Sequence, residues 1–517
     1  MSQTSGHQTA KVLHHTTSAD MQTDELAPPV LKKKFNFLTA LGIALCCSGA
    51  WEGWAASMAP GLAGGGAVGM FWGWIFVSVG ICFLASSLAE FASMWPSAGG
   101  QYVWVAHLAP PKWSRIMSWH TAWISLTGLW LGAISCAMGV AVQVQAYVAT
   151  ARSYEPKNWH AILITYSCML IFILINTLYV KGLHYMNSGL GFFIVIGVLA
   201  GCTNEKHDAK YVFTHFENNT GWNSDAVAWC VGLLPALYAF FSLDAASHFS
   251  EEIESPEIAV PRALLAQAFV NGISNIPFII AVLFTLGDPA EVLASNIGLL
   301  SPFTQILLNG TGKAGVAIFL NGISTTIAFA AGVDLWGAGG RAIWSLSRDG
   351  ALPPIFSHIH PKLGVPIQSL LVLAPPSIPI VLIYNWNSTA FYGIMSGVLV
   401  AFQISYIVPV ALSAFYARRH SGRRVSAFSM GKIGWIVDVV AFVFSLFMII
   451  MMSFPTYQPV SGSNMNYACV IIGAAIVFAT VLWYTYGRRH YSGPSELLEG
   501  SRAENIVGSS DDAKDSV

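Results

Sequence analysis

Long apolar stretches alternate with short polar interruptions along nearly the whole chain. Twelve of them are about the length a bilayer requires, near 36–57, 67–92, 116–149, 160–180, 185–203, 225–249, 264–287, 313–345, 368–384, 389–416, 433–455 and 466–487. The pattern predicts an all-α polytopic membrane protein. Polar ends bracket the spans. Residues 1–35 are Ser/Thr/His-rich and carry Lys32, Lys33 and Lys34, and residues 490–517 end close to Ser509, Ser510, Asp511 and Asp512. Such segments cannot bury a core, and both are expected to be disordered tails. Two spans are broken near their middles, the first by Ser48-Gly49-Ala50-Trp51-Glu52-Gly53 and the sixth by Ser242, Asp244 and Ser247. Backbone unwinds at that depth only where it lines a cavity, and an ionisable residue there marks a functional site. Spans one and six would each begin a five-span half. The matched breaks predict a five-plus-five inverted repeat, 36–203 and 225–416, with spans eleven and twelve at 433–487 appended.

Composition removes the alternatives. With 54% hydrophobic and 10% charged residues among 517, too little polar surface exists to cover a soluble fold. A formal net charge of −1 gives no nucleic-acid footprint. The eight cysteines form no Cys-x-x-Cys and no metal-spaced cluster with histidine. The glycines from Gly61 to Gly69 lack the Gly-Lys-Ser/Thr ending of a phosphate loop. No nucleophile, metal or cofactor constellation is present, so no enzyme and no cofactor are expected. The polar first 34 residues predict no cleavable signal peptide, leaving the first span to direct insertion.

Charge sets the orientation. Lys112, Arg115, Lys181, Arg262, Arg341, Arg348, Lys362, Arg418, Arg419, Arg423, Arg424, Lys432, Arg488 and Arg489 fall on the side of both tails, against Arg152, Lys157, Lys206, Lys210 and Lys313 on the other. Cytoplasmic loops hold the excess of such residues, so both termini are expected inside. The sequons at Asn218, Asn309 and Asn387 all fall in loops assigned to the outside, as candidate glycosylation sites.

The run Phe240-Phe241-Ser242-Leu243-Asp244, followed by Glu251, Glu252, Pro256, Pro261 and Arg262, resembles the sixth span of the amino acid/polyamine/organocation superfamily, in particular its fungal amino acid/choline permeases. Ser242 stands where that family usually has Gly. Glu90 through Tyr102 resembles the loop after span two, and Ser347 through Pro353 the loop after span eight. The resemblance covers roughly 36–490 and implies a LeuT-like fold with discontinuous helices 1 and 6. It also implies a secondary active permease for an amino acid or a choline-like amine, expected to be proton-coupled and in the plasma membrane. Its partners would be the small-molecule substrate, protons and the lipid bilayer. An exporter of an amine-containing metabolite and a non-transporting amino-acid sensor remain open.

Broken helices bind charge with their free ends, N–H groups toward anions and carbonyls toward cations. By resemblance, Gly49, Ala50 and Trp51 would take a substrate carboxylate, and the carbonyls around Phe240 and Phe241 its amine. Glu52, Asp244 and Asp334 are the acids placed deepest, with no Lys or Arg to neutralise them; a cationic substrate or coupling ion would supply that charge. His248 follows Asp244 by one helical turn and could relay a proton. Rings near the breaks, Trp51, Trp54, Tyr238, Phe240, Phe241 and Trp336, could hold an ammonium by cation–π attraction. Tyr238 matches the family's gating aromatic. Ser324, Thr325 and Thr326 offer hydroxyls to sodium, and Glu251, Glu252, Glu254 and Glu257 could pair with Arg341 or Arg348 when an inner gate shuts.

Overall fold

A computed structural model describes residues 35–152, 154–178, 206–387, 390–418, 426–462 and 464–494, with 196, 197, 199 and 201 in addition. The tails at 1–34 and 495–517, and most of the fifth span expected at 185–203, lie outside the described residues. The first span is two helices, α1 (Phe37–Ser48) and α2 (Ala50–Ala56). After α3 (Gly66–Met94) comes the short α4 (Gln101–Leu108), then α5 (Pro111–Ala151) and α6 (Asn158–Leu178). The sixth span opens as α7 (Asp225–Tyr238) and resumes as a 3₁₀ helix, Ala245–Glu252. Beyond it lie α8 (Pro256–Phe284), α9 (Pro302–Thr311), α10 (Ala314–Arg348), α11 (Ile367–Asn385), α12 (Phe391–Ala417), α13 (Gly434–Met451) and α14 (Ala468–His490). Among the described residues, nine helices are long and apolar enough to cross a membrane, and no sheet is formed.

Contacts between distant segments define the bundle's two ends. At the N-terminal end, Phe35 N–H donates to the Glu252 carbonyl at 2.9 Å and Glu254 N–H to the Phe35 carbonyl at 2.8 Å. There too Tyr102 donates to Asp349 at 2.7 Å. At the opposite end Asn219 N–H donates to Ala63 at 2.8 Å, His207 N–H to Phe284 at 3.0 Å, and Asn158 to Asn385 at 3.1 Å. Inside, α5 packs along α10 and α12, and α8 packs on α3. Small residues permit this closeness. A Cβ on Gly80 of α3 would lie 2.2 Å from the Phe444 ring of α13, and one on Gly332 of α10 would lie 2.4 Å from Phe172 of α6.

Several helices start outside the limits read from hydropathy. Predicted from about 264, α8 begins at Pro256. Proline suits a first turn because its missing N–H is unpaired there anyway. Pro261, one turn further, leaves the Glu257 carbonyl without its helical donor, and the Ser93 hydroxyl of α3 donates to it at 2.9 Å. Likewise α5 begins at Pro111 rather than near 116. Residues 490–494, assigned by sequence to the tail, pack back onto the bundle. Tyr491 is fully buried, its hydroxyl 2.7 Å from that of Ser118, and the Arg115 guanidinium donates to its carbonyl.

The two breaks have different local causes. Asn36 caps α1 by accepting from Thr39 N–H at 3.0 Å, and α1 ends at Gly49, which at φ +50° and ψ +52° is left-handed. Glycine has no Cβ to clash in that region, and here a Cβ would sit 3.2 Å from Glu52 Oε1. In the sixth span Ala239–Asp244 is non-helical, and Ser242 turns the chain at φ +54°. The eight-residue 3₁₀ helix that follows is long for its kind.

Candidate functional site

Between the two breaks lies a small cavity bounded by Gly49, Glu52 and Gly53 of the first span, Tyr238 and Phe241 of the sixth, and Ser135, Cys136, Gly139 and Gln143 of α5. Its remaining wall is Ala56, Ala328, Ala331, Phe391 and Met395. The volume, about 20 Å³, admits about one water molecule, so a larger solute enters only if the bundle opens. Among the described residues, Glu52 is the one ionisable carboxylate on this wall. It is 3% exposed, its Oε2 has no hydrogen-bond partner among the described residues, and the carboxylate lies against the backbone N–H groups of Trp51 and of Glu52 itself. Tyr238 stacks on Phe241 with centroids 4.7 Å apart, and its hydroxyl is 2.8 Å from that of Ser135.

The other predicted residues do not all converge there. Trp51 packs edge-on against Phe278 at 5.2 Å, and Phe240 stacks on Trp74 at 4.9 Å. Ala50 and Trp336 are also absent from the cavity wall. Trp336 is fully buried and donates to the Leu370 carbonyl at 3.1 Å, holding α10 to α11. Asp334 lies beside the Cys46 thiol with Oδ2 unpartnered. Ser324, Thr325 and Thr326 point three ways, as consecutive residues on a helix must. The Ser324 hydroxyl has no partner among the described residues, Thr325 donates to Gln143 at 2.5 Å, and exposed Thr326 bonds its own helix at Gly322.

Asp244 belongs to a separate, fully buried network. Tyr406 of α12 donates to its Oδ1 at 2.5 Å, and the Gln101 amide of α4 donates to its Oδ2. His248 Nε2 lies 2.8 Å from the same Oδ2, while Nδ1 lies 2.9 Å from the Ala98 carbonyl. A carbonyl only accepts, so Nδ1 is placed to donate to Ala98 while Nε2 faces the carboxylate. Asp244 and His248 thus form a buried hydrogen-bonded dyad one helical turn apart. Four segments meet at this point, which is why one acid can tie the break to its surroundings.

Polar contacts close the bundle on both sides of the cavity. Toward the N-terminal end, Arg341 Nε donates to Glu252 at 2.5 Å with its guanidinium 4.2 Å over the Phe249 ring, and Arg348 donates to Glu251 at 2.7 Å. Arg341, assigned by the charge layout to the side of both tails and named as a partner for these acids, is 4% exposed and faces the sixth span. Toward the opposite end Gln143, Thr325 and Tyr147 join α5 to α10.

Sequence reasoning gave no role to Tyr406, Gln143 or Phe391, whose local surroundings are ordinary helix, and read Gln101 only as part of the motif after span two. Asp438 was a readable omission, being an acid inside the eleventh span. It is fully buried, accepting from Ser87 at 2.8 Å, Ser413 at 2.7 Å and Arg418 at 2.7 Å, and Arg418 also donates to Glu90 at 2.6 Å. Of the sequons, Asn309 is exposed on α9, whereas the Asn218 amide donates to Trp222 at 2.9 Å and Asp225 at 3.1 Å, and Asn387 is partly buried.

Residues 35–475 match the profile of a family described as amino acid permease. The chain is 30% identical over 485 residues to the choline transporter of Saccharomyces cerevisiae, covering 92% of this chain and 85% of that protein. It is also 30% identical over 508 residues to amino-acid permease 2 of Neurospora crassa, covering 95% and 91%. An amino-acid permease of Arabidopsis thaliana is 25% identical over 485 residues, covering 90% and 93%.

Proposed function

The chain belongs to the amino acid permease family, and on that premise we propose that it is a secondary active carrier moving an amine through the cavity between its first and sixth spans. It is a multi-pass membrane transporter for an amino acid or choline, not an enzyme. The observation that carries the reading is the position of Glu52, a buried carboxylate with an unpartnered oxygen, in a cavity formed by both broken spans and shut at either end by polar contacts. A solute site closed on both sides suits alternating access, in which one closure is released at a time.

Glu52, Tyr238 and Phe241 would contact the substrate directly, with Gly49 supplying the break. Ala50, Trp51, Phe240 and Trp336 would act behind them, shaping the helices that carry the wall. The coupling ion would be a proton held by the Asp244–His248 dyad, and Asp334, off the cavity wall, would respond to its occupancy. The skew of Lys and Arg supports cytoplasmic termini, with the bundle's N-terminal end inside, Asn309 the best exposed sequon outside, and the plasma membrane as location. The repeat division at 36–203 and 225–416 would supply the two moving halves.

The test is uptake of labelled choline, a basic amino acid, a neutral amino acid and 4-aminobutyrate by transport-deficient cells expressing the full chain, with external pH varied. Accumulation of one solute that rises in acid is expected. Equal accumulation at every pH would remove the proton, and no uptake by protein present at the surface would replace a carrier with a sensor or an exporter.

A further inference from the structure

The left-handed turn at Gly49 frees the first N–H groups of α2, the donors that the sequence reading reserved for a substrate carboxylate. Two of them, those of Trp51 and Glu52, are already occupied. The Glu52 carboxylate folds back against the N–H groups of Trp51 and of its own residue, so one carboxylate of the chain sits where a second would have to bind. Its other oxygen, Oε2, is buried and unpartnered beside the cavity. Among the described residues that wall carries no lysine, arginine or histidine, and it offers the rings of Tyr238, Phe241 and Phe391.

Resting on the carrier reading above, we propose that Glu52 is a built-in counter-ion that fills the carboxylate seat and so restricts the cavity to organic ammonium ions lacking an α-carboxylate. An α-amino acid would bring its own carboxylate against that of Glu52, and like charges in a water-poor cavity repel strongly. An ammonium without one pairs with Oε2 and lies against the aromatic faces. Specificity of this kind rests as much on the charge that rejects as on the charge that attracts.

Equilibrium binding of labelled choline to the purified full chain tests this, with alanine as the competing α-amino acid. The expected result is saturable choline binding that a hundredfold excess of alanine leaves in place. Glu52→Gln should weaken choline binding tenfold or more, and Glu52→Ala should open the seat and let alanine compete. Displacement by alanine as effective as by unlabelled choline would overturn the proposal, as would wild-type affinity for choline in a folded Glu52→Gln protein, or no choline binding at all. The wild-type competition decides the matter even where the variants fold poorly. The same chain in liposomes separates the two readings. Choline bound but never moved sinks the carrier and leaves the site, whereas flux of alanine with no choline binding sinks the site and leaves the carrier.

Discussion

Ser242 carries the sixth span's turn in a conformation that glycine adopts more readily. At φ +54° an L side chain costs roughly 1–2 kcal/mol, and the hydroxyl is buried without a partner. Ser242→Gly should therefore stabilise the protein by about 1 kcal/mol, less the greater backbone entropy of glycine in the unfolded chain. It would be read as a raised melting temperature in detergent; an unchanged or lower value would deny that the turn is strained. Two residues on, Asp244 accepts from Tyr406, Gln101 and His248. Asp244→Asn keeps the shape but turns an N–H₂ toward donors and removes the dyad's charge. Accumulation against a gradient should be abolished while the protein still reaches the membrane. Accumulation at the wild-type level would discard a coupling role for Asp244.

The sixth span acts as an element through its lower half. Its 3₁₀ helix presents Glu252 to Arg341 and Glu251 to Arg348, so the part of the chain that breaks at Ser242 also holds the N-terminal end shut. Arg341 is nearly inaccessible, and stripping one partner from a buried pair costs about 3–5 kcal/mol because the other charge stays behind. Glu252→Gln should relieve that cost by opening the end. The rate at which a water-soluble thiol reagent labels a cysteine placed at Ser345, fully buried in the closed form, should rise severalfold. If labelling is no faster than with Glu252 intact, the pair is structural and gates nothing.

For the whole molecule, the long α5 and α10 form a spine on which the broken spans are mounted, and α13 is fastened to the rim. That fastening is ionic, with Arg418 shared between Glu90 of α3 and Asp438 of α13. Asp438→Asn leaves Arg418 with one carboxylate, so the loss of stability should be smaller than for a pair broken outright, about 1–3 kcal/mol. Because the network lies away from the cavity wall, the choline affinity of folded protein should hold within about twofold, measured by titration beside a melting curve. A large affinity loss at unchanged stability would place α13 in the solute path instead.

The sequence by itself determined the membrane class, the two breaks and the presence of Gly49, Glu52, Tyr238 and Phe241 beside them. Bilayer thickness imposes an apolar length that any window detects, and an unwound or charged residue at mid-span is conspicuous against that background. Helix starts such as Pro256 were less legible because a polar first turn outside lipid lowers hydropathy without ending the helix. Tertiary structure alone decided which aromatic residues reach the cavity. Trp51, Phe240 and Trp336 share the composition of the site yet face Phe278, Trp74 and the Leu370 carbonyl, since a helix points its side chains around its full circumference and only its neighbours fix which face lines a space. It likewise decided that Asp244 meets Gln101 and Tyr406, partners 143 and 162 residues away. The orientation of Glu52 belongs to the same category, because only the fold shows its carboxylate lying over the N–H groups that the left-handed Gly49 sets free.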